Sequence, residues 1–108
     1  MNDWVYPLIS VDHVHDGDTF TGTCDRGDGE HVRETFRLLG INAPELGQPG
    51  ADAAKQHLEQ RLTTAKAVEV QWHERGDFGR PLTTVYCDGV NVNQEMLDLG
   101  LAEVYKRG

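Results

Sequence analysis

Long apolar runs are missing from this sequence of 108 residues. No stretch approaches the roughly 20 residues that cross a bilayer, and Met1-Asn2-Asp3-Trp4 opens the chain without a basic segment leading into a greasy one. The sequence therefore predicts neither a membrane anchor nor a secretory signal, no membrane partner, and a cytoplasmic location by default. Cysteine is scarce too. Cys24 and Cys87 are the whole complement, which excludes a disulfide framework, leaves burial to hold the fold together and places both thiols inside. Positive charge is also short. Ten Lys and Arg face eighteen Asp and Glu, a net charge of −8, which argues against long-range attraction of nucleic acid or of an anionic membrane. Repeats, low-complexity tracts and like-charge blocks are absent, so residues 1–108 are expected to form one domain.

What is present is turn chemistry between short periodic segments. Tyr6 to Val14 and Thr19 to Cys24 are rich in β-branched and aromatic residues and predict two strands around the turn Asp16-Gly17-Asp18. After Asp25-Arg26-Gly27-Asp28-Gly29, Val32 to Ile41 predicts a third strand, and Pro44 biases Ala43 to an extended backbone ahead of a loop over Glu45 to Pro49. The period then changes. Ala51, Ala54, Leu58, Leu62 and Ala65 recur at three and four residues, the stripe of an amphipathic helix. Val68, Val70 and Trp72 alternate with Glu69, Gln71 and His73; a loop over Arg75 to Pro81 leads to a fifth strand from about Leu82 to Cys87. A short second helix follows, capped by Asn91 or Asn93 and ended by Gly100. Three strands, helix, two strands and a short helix make a mainly β, α+β chain in the order of a five-stranded OB barrel.

Three segments at strand ends gather polar residues that a surface does not explain: His15 to Thr19, Arg37 to Glu45, and Asp77-Phe78-Gly79-Arg80. Hard cations take carboxylate and carbonyl oxygen, which Asp18, Asn42 and the extended carbonyl of Ala43 could supply, a set suited to calcium rather than zinc. Arg37 and Arg80 offer planar forks matched to phosphate, and Glu45 could orient or deprotonate a water. Taken singly, each has a plainer explanation: a hairpin turn at Asp16-Gly17-Asp18, a rim arginine at Arg37, a solvated acid at Glu45, a turn arginine at Arg80. Other signals are rejected. Asp77-Phe78-Gly79 spells a kinase magnesium motif in a chain too short for that fold, neither Asp12 to Thr23 nor Asp25 to Phe36 ends in the glutamate of an EF-hand loop, and His13 and His15 lack a third close ligand.

Taken jointly, Asp16-Gly17-Asp18-Thr19, Thr35-Phe36-Arg37-Leu38-Leu39, Ala43-Pro44-Glu45, Gly79-Arg80 and Asn93 through Gly100-Leu101-Ala102 resemble the staphylococcal nuclease (thermonuclease) family in order and spacing, from about Leu8 to Val104. The resemblance implies an OB barrel that cleaves DNA and RNA in a calcium-dependent way at the bond to the 5′ oxygen, leaving 3′-phosphates. It implies Asp18 as calcium ligand with Asp16 in support, Asn42 where the family commonly has a second carboxylate, and Ala43 through its carbonyl. Glu45 corresponds to the water-activating glutamate, and Arg37 and Arg80 to the phosphate clamp. Phe78 and Tyr105 stand nearest the family's substrate-binding aromatics.

The chain also departs from the family pattern. An amide at Asn42 removes one unit of charge facing the ion, so weaker calcium binding is expected. Gly76 and Phe78 replace an acid and a tyrosine, so a base can stack on Phe78 but a phosphate gains no hydrogen bond from it. The chain reaches Gly108 before the third helix of relatives, from which a smaller core is expected. The net charge predicts feeble binding of long duplex DNA and a preference for single strands at low salt. The alternative expectation is a weak or inactive OB module that binds single-stranded nucleic acid or a protein; oligomeric state has no signal in the sequence.

Overall fold

The computed structural model describes residues 4–105. In chain order the elements are β1 (Trp4–Asp16), β2 (Thr19–Asp25), β3 (His31–Leu38), β4 (Ile41–Asn42), α1 (Ala51–Thr64), β5 (Val68–Arg75), β6 (Pro81–Cys87), β7 (Val90–Asn91), α2 (Val92–Asp98) and β8 (Glu103–Val104). β1 is long because it serves two neighbours. Trp4 to Pro7 pairs antiparallel with β5, while Leu8 to Asp16 pairs with β2 through three register irregularities that bend the strand. β2 pairs with β3 and β5 with β6, and the ring closes where β3 meets β6 in parallel at Arg37 to Leu82 and Leu38 to Thr83. The closed barrel of five strands with two helices matches the expected OB arrangement.

Inward residues alternate along the strands as a pleat requires. Phe20, Phe36, Leu38, Val70 and Val85 fill the barrel, and Ala54, Leu58 and Leu62 of α1 with Val92 and Met96 of α2 join the same core. Phe20 and Phe36 lie 5.2 Å apart between ring centroids. α1 has no side-chain cap at its start, where Gly50 takes a left-handed backbone at φ 87°. It seats close to the β1–β2 turn, because a Cβ on Gly17 would lie 2.6 Å from the Ala54 Cβ and 2.8 Å from the Ala43 Cβ. Only glycine allows that approach.

Two expectations change. The third strand stops at Leu38 rather than running to Ile41: Gly40 turns the chain at φ 84°, and Ile41–Asn42 forms a separate pair with Glu103–Val104. Asn93 does not cap α2. Asn91 does, accepting from the Gln94 N–H at 3.0 Å, while Asn93 is buried inside the first turn. The end of α2 is as expected: Gly100 at φ 70° lets Gly100 and Leu101 donate back to the Leu97 and Met96 carbonyls, which satisfies the last turn. Among the described residues, no helix is long and apolar enough to cross a membrane.

Candidate active site

Strand ends deliver the site. The β1–β2 turn brings Asp16 and Asp18, the end of β3 brings Arg37, the extended segment after it brings Asn42, Ala43 and Glu45, and the turn between β5 and β6 brings Arg80. All seven line one cleft of about 240 Å³, and Tyr105 lines it too. Phe78 is the predicted residue that the cleft excludes. Its ring is 95% exposed and lies over the neighbouring groove, on the far side of Arg80.

Asp18 is the buried centre of this arrangement. Its Oδ1 accepts from the Thr19 hydroxyl at 2.8 Å, its Oδ2 accepts from the Ala43 N–H at 2.7 Å, and Nη1 of Arg37 lies 3.5 Å from Oδ2. Asp16 accepts from the Asp18 N–H at 3.0 Å, a local turn that holds the two carboxylates side by side. Burial, then the bond with Asp18, pushes the Asp16 carboxyl up to about 6. Two acids are thus packed together with incomplete compensation.

Arg37 is largely buried and directed. Its Nη1 donates to the Leu38 carbonyl at 2.8 Å, and its guanidinium lies 5.8 Å from the Tyr105 ring centroid. This contact with Tyr105 holds the planar fork against a face, as cation–π geometry favours. Arg80 enters from the opposite strand end, with Nε donating to the Asp77 carbonyl at 3.4 Å and the guanidinium 5.6 Å from the Phe78 ring. Glu45 is exposed at the rim, and its N–H donates to the Gln48 side chain at 3.0 Å.

A hard cation fits this oxygen-only donor set in kind, through the carboxylates of Asp16 and Asp18, the Asn42 amide oxygen and the Ala43 carbonyl. Among the described residues, however, no three His, Cys, Asp or Glu side chains gather as a cage. An ion would depend on neutral oxygens as much as on charged ones.

The family described as staphylococcal nuclease homologue matches residues 35–108. This chain belongs to the staphylococcal nuclease family. It is 38% identical over 109 aligned positions to an "Uncharacterized endonuclease" of Escherichia coli O157:H7, covering 94% of this chain and 67% of that one. It is also 38% identical over 80 residues to the "Probable staphylococcal-like nuclease CAN1" of Oryza sativa subsp. japonica, covering 71% of this chain and 24% of that protein. With "Endonuclease YncB" of Bacillus subtilis (strain 168) it shares 31% identity over 104 residues, 89% of this chain and 47% of the relative. The chain spans about a quarter of the rice protein and two thirds of the Escherichia coli one.

Two residues shape the site in roles the sequence did not assign: Asn93, offered there as a helix cap and within the family motif, and Arg75. Asn93 bridges the walls of the site from below: its Oδ1 accepts from the Val85 N–H at 3.0 Å, and its Nδ2 donates to the carbonyls of Leu39 at 3.0 Å and Thr83 at 2.9 Å. Arg75 donates to the Gly79 carbonyl at 2.7 Å and to Glu34 at 2.9 Å, fastening the turn that carries Arg80 to β3. A polar residue among the apolar positions of α2 was the available signal for the first; the second has none in local sequence.

Proposed function

We propose that this domain is a calcium-dependent nuclease, hydrolysing DNA and RNA at the 5′-oxygen side of the phosphodiester to leave 3′-phosphates, with single strands preferred. The observation that carries the reading is the convergence of Asp16, Asp18, Arg37, Asn42, Ala43, Glu45 and Arg80 on one cleft from four separate segments. Arg37 and Arg80 approach that cleft from different strand ends, an arrangement suited to gripping two oxygens of one phosphate. Both forks favour the charge that accumulates on the phosphorus oxygens as the bond to water forms. Glu45, at the exposed rim, can take a proton from an attacking water or aim it. Asp18 holds the Asn42–Ala43 amide plane by accepting the Ala43 N–H, which places the segment that carries the Ala43 carbonyl, and Asp16 keeps Asp18 in place. A bound calcium ion would supply Lewis acidity at the phosphate and offset the paired acids.

Calcium with Arg37 and Arg80 matches the formal charge of Asp16, Asp18, Glu45 and Asp77 in the cleft, so the site is locally neutral within a chain of net charge −8. Steering of long polyanions therefore stays weak, which supports short or single-stranded substrates. The thin donor set around Asn42 favours a second reading, a binding module with little turnover.

One experiment separates them. Labelled single-stranded DNA is incubated with calcium or chelator and with the wild type, Glu45→Gln or Arg37→Ala. The nuclease reading expects calcium-dependent product, reduced about a hundredfold or more in both variants, and turnover that falls as salt rises. Equal activity in all three preparations identifies a contaminant. A calcium-dependent rise in melting temperature with no product identifies the binding module.

A further inference from the structure

Beyond the cleft, on the far side of Arg80, lies a second groove of about 460 Å³ lined by Thr21, Arg33, Glu34, Thr35 and the Phe78-Gly79-Arg80 turn. Arg80 lines both cavities, so the groove continues the cleft. The pairing of β2 with β3 sets outward rows along this face: Thr19 opposite Arg37 at the cleft, then Thr21 opposite Thr35, then Thr23 opposite Arg33. At about 3.3 Å per residue, Arg37 and Arg33 are spaced for about two nucleotides of an extended strand.

The groups in these rows suit a sugar-phosphate chain. Arg33 is 66% exposed at its side chain, yet Nε is tied to Asp12 Oδ2 at 2.6 Å, which leaves the Nη atoms directed and available. His15 Nε2, Thr21 Oγ1 and Thr35 Oγ1 form a chain with both contacts at 2.8 Å, so the hydroxyl at the groove end can turn its hydrogen outward to an acceptor. The groove's own acid is neutralised, because Glu34 is bound by Arg75 at 2.9 Å and 3.4 Å. Phe78 is held in a left-handed backbone at φ 62° with its ring almost wholly in solvent. That combination is unfavourable twice over, in backbone strain and in apolar exposure, and it persists because the Arg75 bond to the Gly79 carbonyl fixes the turn.

We infer that this groove is an extended-strand subsite, in which Thr35 binds the phosphate next to the one gripped in the cleft, Arg33 binds the phosphate after it and Phe78 stacks on an intervening base. The inference rests on the nuclease reading for the orientation of the strand. It makes the domain a reader of length: a 12-mer engages the groove, whereas a dinucleotide fills the cleft alone.

The test measures binding and cleavage of a labelled dodecathymidylate and a dinucleotide by the wild type, Arg33→Ala, Arg33→Lys and Thr35→Val, with melting temperature as a fold check. The subsite expects the preference for the 12-mer, taken as the ratio of kcat/KM or of Kd, to fall about tenfold in Arg33→Ala and measurably in Thr35→Val. Arg33→Lys should restore most of it, and the slope of log Kd against log salt for the 12-mer should drop by about 0.7 in Arg33→Ala. An unchanged ratio in folded Arg33→Ala and Thr35→Val overturns the subsite, as does a fall that leaves the salt slope intact and that lysine does not rescue. If the wild type cleaves neither substrate, the nuclease reading fails, and the Kd ratio measured in chelator still decides the groove.

Discussion

Asp18 and Ala43 stand 25 residues apart, and the carboxylate of the first accepts the backbone N–H of the second at 2.7 Å. This bond clamps the segment carrying Asn42 and Glu45 to the β1–β2 turn, so the acid that would hold an ion also sets where the neighbouring oxygens lie. Replacing Asp18 by Ala strands a buried N–H and removes the partner of Arg37, which is expected to cost about 2 kcal/mol of metal-free stability. Urea unfolding in chelator checks this. A midpoint equal to that of the wild type would mean the clamp contributes nothing to folding.

Gly17 predicts a second cost of a different origin. A methyl group there meets the Ala54 Cβ at 2.6 Å and the Ala43 Cβ at 2.8 Å, with the Ala54 backbone carbon at 3.2 Å. Neither neighbour is the end of a flexible side chain, so α1 or the Ala43 segment has to move. Gly17→Ala is expected to lose about 1–3 kcal/mol. Adding Ala54→Gly relieves the closest contact, and the double variant should lose less than the sum of the single losses. Strict additivity in denaturant midpoints would contradict the contact.

How far these features could be read beforehand depends on the range of the forces behind them. The α1 stripe of Ala54, Leu58 and Leu62 and the alternation in β5 are local, and period alone displays them. Glycines at Gly40 and Gly100 differ: the same residue type ends α2 as expected, yet breaks the third strand where an apolar run from Phe36 to Ile41 suggested continuity. β4 and β8 are two residues each and exist only because they meet. The cleft residues could be assembled from the family resemblance, since Asp18, Arg37 and Glu45 keep its order. Phe78 was legible as an aromatic on which a base could stack but not as one outside the cleft, because its left-handed backbone and the Arg75 tether that fixes it are tertiary.

Asn93 gives the third prediction. Its amide makes three hydrogen bonds that join β6 to the Leu39 carbonyl just beyond β3. The parallel β3–β6 seam has only two paired positions, so this side chain supplies closure that the ladder lacks. Asn93→Ala leaves one donor and two acceptors without it and is expected to cost roughly 3 kcal/mol. Asn93→Asp is nearly isosteric and keeps the acceptor for Val85, but an ionised carboxylate has no hydrogen to give the two carbonyls. It should therefore be destabilised nearly as much at pH 7. Melting curves of both variants at equal pH decide the point, and a wild-type-like aspartate variant would show that the carbonyl contacts are dispensable.

Asp88 yields a dependence on pH. It sits in a left-handed backbone at φ 51° in the β6–β7 hairpin, and its carboxylate accepts the N–H groups of Ala67 at 2.9 Å and Lys66 at 3.2 Å, tying the hairpin to the chain leaving α1. These backbone bonds hold the carboxyl below its ordinary value of 3.8. Because the folded pKa is depressed, its contribution is present above the unfolded value and is lost as pH falls through the folded one. Asp88→Asn tolerates the same backbone and keeps one acceptor oxygen, so it removes the charge with little added strain. The wild type should melt above this variant at pH 7, and the gap should narrow as pH drops below about 4. A gap that stays constant between pH 7 and pH 3 would assign the difference to geometry, and the charge of Asp88 would then have no part in anchoring the hairpin.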